Sequence, residues 1–319
     1  MTNRDGDDLP STPIAPCRGS IAPSPYLLCH NRSQASPPKI PCFDLTPTMT
    51  ISAPTTARLI EVFSAIQGEG LNVGTRQIFV RFALCDLRCL YCDSAQTWFA
   101  PATYRVERTP GLRDFDTYPN PVSIETLLTW VERQNRPGLH DSISITGGEP
   151  LLQAPFLTEF LPRAIDRTHL PIYLETGGHR PEQLKLILPY LDLVGMDIKL
   201  PSASGEMHWS EHEAFLKHCS QAKVPVFVKT VVCDRTLAQE LERVAHLIAR
   251  IDPEIPVYLQ PVTPLNGVLR AQNEALRKDA FRDAVVPSPD RILAWQTMMK
   301  RTIPHVRVVP QTHKALGQL

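Results

Sequence analysis

The chain of 319 residues carries 33 basic and 33 acidic side chains and a hydrophobic fraction of 43%, enough for one large α/β domain or two ordinary ones. Its zero net charge gives no pull toward nucleic acid or a membrane surface. No apolar run reaches the ~18 residues of a spanning helix, so neither is expected as a direct partner.

Residues 1–57 contain ten of the 31 prolines, many Ser and Thr, and no apolar periodicity. That composition predicts a disordered extension, with Met49 as an alternative start, ahead of one structured domain over 58–319. From there the pattern alternates. Strand-like runs lie at 59–64, 77–84, 142–146, 171–175, 191–197, 224–231 and 256–260. Helix-like runs lie at 123–134, 154–167, 181–188, 211–221, 237–250 and 290–301, the first with Ser123 as N-cap. Residues 101–121, rich in Pro, Arg and Asp, read as a loop. Strand–helix alternation implies right-handed crossovers and a parallel sheet. Six βα units do not close an eightfold barrel, so the expected fold is α/β, a partial, open (βα)6 barrel. Sites in such sheets lie at C-terminal strand ends, here near residues 85, 147, 176, 198, 232 and 261.

Eight cysteines stand at 17, 29, 42, 85, 89, 92, 219 and 233. The chain is too long for a disulfide scaffold and shows no signal peptide, so a reducing cytoplasm is expected. Cys85, Cys89 and Cys92 follow directly on a strand, in the run Cys-Asp-Leu-Arg-Cys-Leu-Tyr-Cys. Thiolates suit iron–sulfur clusters or zinc. Three ligands on a four-iron cubane would leave one iron open to a small-molecule chelator. A zinc site would need a fourth ligand from Cys219, Cys233 or a lone His, none in a ligand pair. Cys219 and Cys233 read as small buried hydrophobes, and Met298 and Met299 as core or dimer-face residues.

This spacing, with Tyr91 before the last cysteine, resembles the radical S-adenosylmethionine (SAM) superfamily. Thr146-Gly147-Gly148-Glu149-Pro150 resembles its GGEP motif, whose backbone and Glu bind the SAM amino group. Asp197-Ile198-Lys199 resembles the region that contacts SAM ribose and carboxylate. The resemblance implies a [4Fe-4S] cluster on the three cysteines and SAM on its open iron. It places Tyr91, Cys92, Asp93, Gly148, Glu149, Asp197, Ile198, Lys199 and Gln260 at the cofactor.

Three further features narrow the family: Gln67-Gly68-Glu69-Gly70 before the cluster strand, Cys92-Asp93-Ser94 after the cluster, and Gln311-Thr312-His313-Lys314 near the end. Over residues 58–319 these resemble the 7-carboxy-7-deazaguanine synthases of queuosine precursor biosynthesis, a tRNA modification pathway. The resemblance implies a carbon–nitrogen lyase that contracts 6-carboxy-5,6,7,8-tetrahydropterin with loss of ammonia. It implies a Mg²⁺ ion, a flavodoxin-like or other reductant, and a homodimer. Ile66, Gln67, Gly68, Glu69, Arg81, Thr146, Gln311, His313 and Leu319 would meet the pterin. Arg81 would hold its carboxylate bidentately, which Lys could not reproduce, or serve as a structural ion pair. Ser94 would offer Mg²⁺ a hard oxygen ligand, or cap a helix. Gln311 and His313 would approach the substrate, or pack the last segment. Two other readings stay open: a glycyl-radical-enzyme activase, favoured by Asp197-Ile198-Lys199, and a non-catalytic iron–sulfur or zinc module.

Overall fold

Every strand-like run in the sequence forms a strand, and along each one successive side chains alternate between two environments. In the computed structural model, residues 56–264, 271 and 284–317 are described. The elements are β1 (Thr56–Ala57), β2 (Leu59–Ile66), β3 (Arg76–Phe82), β4 (Thr103–Glu107), β5 (Phe115–Pro119), β6 (Val122–Ser123), α1 (Ile124–Gln134), β7 (Ser142–Gly147), α2 (Ala154–Thr168), β8 (Ile172–Thr176), α3 (Pro181–Ile187), β9 (Leu193–Asp197), α4 (Pro201–Ser204), α5 (Trp209–Ala222), β10 (Val226–Val232), α6 (Ala238–Ile251), β11 (Val257–Pro261), α7 (Pro289–Met299), β12 (Val306–Val308) and α8 (Thr312–Ala315). The Ser123 hydroxyl accepts from Thr126 N at 3.2 Å, so α1 begins at its expected cap.

The main sheet has the order β12-β11-β10-β9-β8-β7-β3-β2-β4-β5, with no pairing between β12 and β5, so the barrel is partial and open. From β3 through β12 all neighbours run parallel. Parallel pairing strips both faces of water, and the side-chain period of two then separates them. Ile143, Ile145, Leu174, Val194, Met196, Val228 and Leu259 join the large apolar core. The alternate residues Tyr173, Glu175, Asp197, Lys229 and Gln260 line a cavity on the other face. Cys219, Cys233 and Met299 are buried in the core as expected, and Met298 packs against it.

Three expectations fail. The sheet is not parallel throughout, because β2 runs antiparallel to β3. The connection over residues 67–75 closes on itself, with Gln67 N donating to Thr75 O at 2.8 Å, and is too short for a parallel crossover. Residues 101–121 are not a loop. They form the β4–β5 hairpin, which extends the sheet beyond β2. Its Pro- and Gly-containing stretch between Arg108 and Asp114 is only the turn; Tyr104 and Val106 alternate inward and are buried. Finally, Thr56 and Ala57, placed in the extension, pair with Ser123 and Val122. The rest of that extension, with Met49, lies outside the described residues.

Candidate active site

Backbone register sets the wall of the cavity. On four adjacent strands Glu61 stands opposite both Arg105 and Arg81, and Arg81 stands opposite Thr146. Further along, Glu175 and Phe227 both stand opposite Gly195. All seven of these residues line one cavity of about 730 Å³. Gly195 is required there, since a Cβ would lie 2.5 Å from the Tyr173 hydroxyl and 2.8 Å from the Phe227 ring.

The cysteine loop leaves the C-terminal end of β3 through Leu84, a non-glycine residue at φ 79°. Cys85, Cys89 and Cys92 all line the cavity, and none is in a disulfide. Two neighbouring turns hold the loop from outside. Leu90 N donates to Ser204 O at 3.0 Å. The Asp86 carboxylate meets His179 Nε2 at 3.0 Å and Arg180 Nη2 at 2.6 Å.

The double glycine has a steric reason. A Cβ on Gly148 would lie 2.3 Å from Leu84 O and 2.8 Å from Cys85 Cβ. Gly148 N donates to Phe82 O at 3.1 Å and Glu149 N to Leu84 O at 2.9 Å, so the end of β7 is sewn to the start of the cysteine loop. Glu149 is 1% exposed. Its carboxylate accepts from Leu151 N at 3.0 Å, from the Thr176 hydroxyl at 2.9 Å and from Gly177 N at 2.9 Å. It thus organises the turn after β8 as well as bordering the cavity.

A chain of alternating charge crosses the mouth. Lys314 Nζ pairs with Asp93 at 2.5 Å. Gln311 Nε2 donates to both Asp93, at 3.0 Å, and Glu69, at 2.7 Å. Glu69 pairs with Lys229. Lys229 lies 3.6 Å from Asp197, which meets Lys199 at 2.8 Å. Burial opposes ionisation of Glu69, but Lys229 and Gln311 outweigh it and hold the carboxyl below its usual range. Asp93 resists the same burial and is drawn down to about 2 by Lys314 and Gln311. Separately, Glu175 accepts from Gln67 Nε2 at 2.6 Å and from the Thr146 hydroxyl at 2.7 Å.

The terminal segment closes on the early one. Thr312 N donates to Gly68 O at 3.0 Å, and a Cβ on Gly68 would lie 2.1 Å from His313 Nδ1. Gln311 and His313 therefore both pack against residues 67–69 and line the cavity.

Of the residues expected at the site, Ile66, Gln67, Gly68, Glu69, Arg81, the three cysteines, Tyr91, Asp93, Ser94, Thr146, Gly148, Glu149, Asp197, Lys199, Gln260, Gln311 and His313 all border this cavity. Ile198 does not. Its side chain is fully buried in the core, and its N–H donates to Lys229 O at 2.9 Å. Leu319 lies outside the described residues. Arg81 is engaged in an ion pair, Nε to Glu61 Oε1 at 2.9 Å, while still lining the cavity. Ser94 precedes a short 3-10 turn, but its hydroxyl makes no capping bond and lies 3.9 Å from Cys92 Sγ; its carbonyl accepts the first bond of the turn, from Thr97 N.

Sequence reasoning missed Glu61, Glu175, Lys229 and Arg105, and gave Lys314 of the terminal motif no role of its own. A signal existed for three of them: Glu61, Glu175 and Lys229 are single charges inside apolar strands, and a buried charge needs a partner.

The parallel sheet with a three-cysteine loop at a C-terminal strand end defines a radical SAM protein. The profile described as the Radical SAM superfamily matches residues 80–248, and the chain belongs to that superfamily. A 7-carboxy-7-deazaguanine synthase of Geobacter sulfurreducens is 42% identical over 267 residues, spanning 82% of this chain and 98% of that protein. Those of Archaeoglobus fulgidus and Thermococcus kodakarensis are 34% and 35% identical, over 82% and 65% of this chain and 98% and 84% of theirs. Within the superfamily, the chain belongs with the 7-carboxy-7-deazaguanine synthases.

Membership implies a [4Fe-4S] cluster and SAM, and the cavity fits both. Among the described residues no three His, Cys, Asp or Glu side chains converge as a single ion requires. A cubane instead takes each sulfur on a different iron. Burial pushes the Cys85 and Cys89 thiols up to about 12, so their deprotonation depends on the positive charge of bound metal. For SAM, Asp197 Oδ1 and Gln260 Oε1 are buried, border the cavity and have no hydrogen-bond partner. Two buried acceptors without donors call for a ligand that donates.

Proposed function

We propose that the chain converts 6-carboxy-5,6,7,8-tetrahydropterin to 7-carboxy-7-deazaguanine, a Mg²⁺-dependent ring contraction with loss of ammonia. The observation that carries the reading is the docking of Gln311–His313 onto Gln67–Glu69 above the cysteine loop, through Thr312 N to Gly68 O at 3.0 Å. It brings the two segments of the family resemblance together at the border of a cavity of about 730 Å³, a size suited to small molecules. A glycyl-radical-enzyme activase is not favoured, because the relatives that span most of this chain are 7-carboxy-7-deazaguanine synthases.

Each group then has a task. Cys85, Cys89 and Cys92 hold the cluster. Gly148, Tyr91, Asp197, Lys199 and Gln260 bind SAM, with the acceptors of Asp197 and Gln260 taking its donors. Bound together, cluster and SAM supply one-electron cleavage of SAM and hydrogen abstraction from the substrate. Gln67, Glu69, Thr146 and His313 surround the pterin edge, where amide, carboxylate and hydroxyl match its many donors and acceptors. Arg81 takes the substrate carboxylate, and the Ser94 hydroxyl, 3.9 Å from Cys92 Sγ, offers Mg²⁺ an oxygen. The lysine-paired acids keep the mouth polar and ordered without net charge.

Residues 58–319 are proposed to carry the whole activity. A flavodoxin-like protein or another one-electron donor is proposed as reductant, with a homodimer in the cytoplasm. No described helix is long and apolar enough to cross a membrane.

The test is anaerobic incubation of reconstituted protein with SAM, dithionite, Mg²⁺ and carboxytetrahydropterin, read by mass spectrometry. Formation of 7-carboxy-7-deazaguanine is expected. SAM cleavage without that product would reject the substrate assignment.

A further inference from the structure

The β4–β5 hairpin, to which the family resemblance assigns no role, borders the wall of the cavity that carries Arg81. Glu61 stands in register between Arg105 of β4 and Arg81 of β3. Its carboxylate is divided between them: Oε1 accepts from Arg81 Nε at 2.9 Å and Oε2 from Arg105 Nη2 at 2.5 Å. Both guanidinium groups rest on one aromatic patch. Arg105 lies 4.5 Å over the Phe115 ring and Arg81 lies 5.5 Å over Phe63, which stacks on Phe79 and packs with Phe115. Glu61 is nearly closed to solvent, whereas Arg81, Arg105 and Glu61 all border the cavity.

We propose that Arg105 is a positioning residue that keeps Arg81 open to the carboxylate of the substrate, and so sets the preference for carboxylated over uncarboxylated pterins. The inference rests on the reading that Arg81 takes that carboxylate. A carboxylate with both oxygens available closes on arginine as a two-bonded fork. Arg105 occupies one oxygen of Glu61, which confines Glu61 to a single bond with Arg81 Nε. The Nη donors of Arg81 stay available, and two arginines against one glutamate leave one positive charge for one incoming carboxylate. Without Arg105, the second oxygen of Glu61 would be a buried acceptor with no partner, and it would turn onto Arg81. The fork would close and the local charge would fall to zero.

The test uses the holoenzyme with cluster and SAM bound, and titrates 6-carboxypterin and unsubstituted pterin by their fluorescence. Arg105→Met is expected to weaken 6-carboxypterin by about tenfold or more and pterin by less than about twofold. Adding Glu61→Gln to Arg105→Met removes the competing charge and is expected to restore most of the lost affinity. A purely structural role for Arg105 predicts no such rescue, and its absence overturns the inference. Arg81→Ala separates the inference from the reading beneath it. If Arg81→Ala abolishes the preference while Arg105→Met preserves it, the inference alone is wrong. If Arg81→Ala preserves the preference, the carboxylate is bound elsewhere and both are wrong. Should Arg105→Met not fold, Glu61→Gln alone decides: 6-carboxypterin is expected to bind at least as tightly as in the parent, and a tenfold loss overturns the inference.

Discussion

Lys229 shows how a single side chain can organise a site from within a strand. Among the described residues it alone touches both Glu69 and Asp197, acids proposed to face substrate and cofactor respectively. Burial would lower its basicity, but those two acids outweigh it and raise its pKa, so it stays charged. Lys229→Met should leave Glu69 without its ion-pair partner, while Asp197 keeps Lys199 at 2.8 Å, and should cost about 3 kcal/mol, the low end for a broken buried pair. The unfolding midpoint in urea measures this, and an unchanged midpoint would show that water already screens the pair. Gly148→Ala should act differently, because its new Cβ meets the Leu84 carbonyl and Cys85 Cβ. Neither neighbour can yield without moving the cluster loop. The variant should fold but hold less iron and sulfide after anaerobic reconstitution, which elemental analysis would report. At this scale the sequence was legible wherever residue type dictated chemistry, as with the cysteines and the double glycine. It was mute where partner choice depends on register: nothing local tells Glu61 that two arginines flank it, nor Glu149 that Thr176 and Gly177 take its oxygens.

The elements divide by how strongly local pattern fixes them. The buried parallel strands read as continuous apolar runs, and the helices between them as amphipathic stretches, so both were legible with small errors at their ends. The β4–β5 hairpin was not, because the turn-forming Thr109-Pro110-Gly111 dominates its composition and hides the alternation on either side. Strand direction in β2 was hidden as well, and only the shortness of the following connection betrays it. The terminal segment is a third case. It has too few residues to read as an element, yet Thr312, Gln311 and Lys314 fasten it to Gly68, Glu69 and Asp93. Deleting residues 311–319 should therefore spare the sheet while unfastening the mouth. Far-ultraviolet circular dichroism should be nearly unchanged, and turnover should fall by about 100-fold, the equivalent of some 2–3 kcal/mol of lost positioning. Wild-type turnover in the truncated chain would remove this segment from the site.

The cysteine loop and the double glycine lie at the C-terminal ends of β3 and β7, while a buried polar network ties the N-terminal ends of the same two strands to β2. Arg76 Nε donates to the Ser64 hydroxyl at 2.9 Å, and that hydroxyl lies 2.7 Å from His140 Nε2. The Ser64 hydroxyl keeps a proton and a second lone pair beside the one taken by Arg76, so it bonds His140 Nε2 in either tautomer. Burial and the nearby charges of Arg76 and Arg136 push His140 down to about 4, against a smaller opposing pull from Asp141. The sign of the linkage follows. Between the unfolded value of 6.5 and the folded value of about 4, the unfolded chain binds a proton that the folded chain refuses. This contribution is complete above pH 6.5 and is lost as pH falls toward 4. It should amount to roughly 2 kcal/mol, from a shift worth about 1.4 kcal/mol per unit with allowance for partial hydration of the site. Urea unfolding at neutral and mildly acidic pH should show that loss, and His140→Gln, which can still accept from Ser64, should flatten the slope. It should not abolish it. His212, pushed down to about 3 chiefly by burial, would keep pulling in the same direction. If His140→Gln left the acid slope of the parent intact, the acid sensitivity would have to come from elsewhere, and the network beneath the sheet would be a packing feature without a protonation cost.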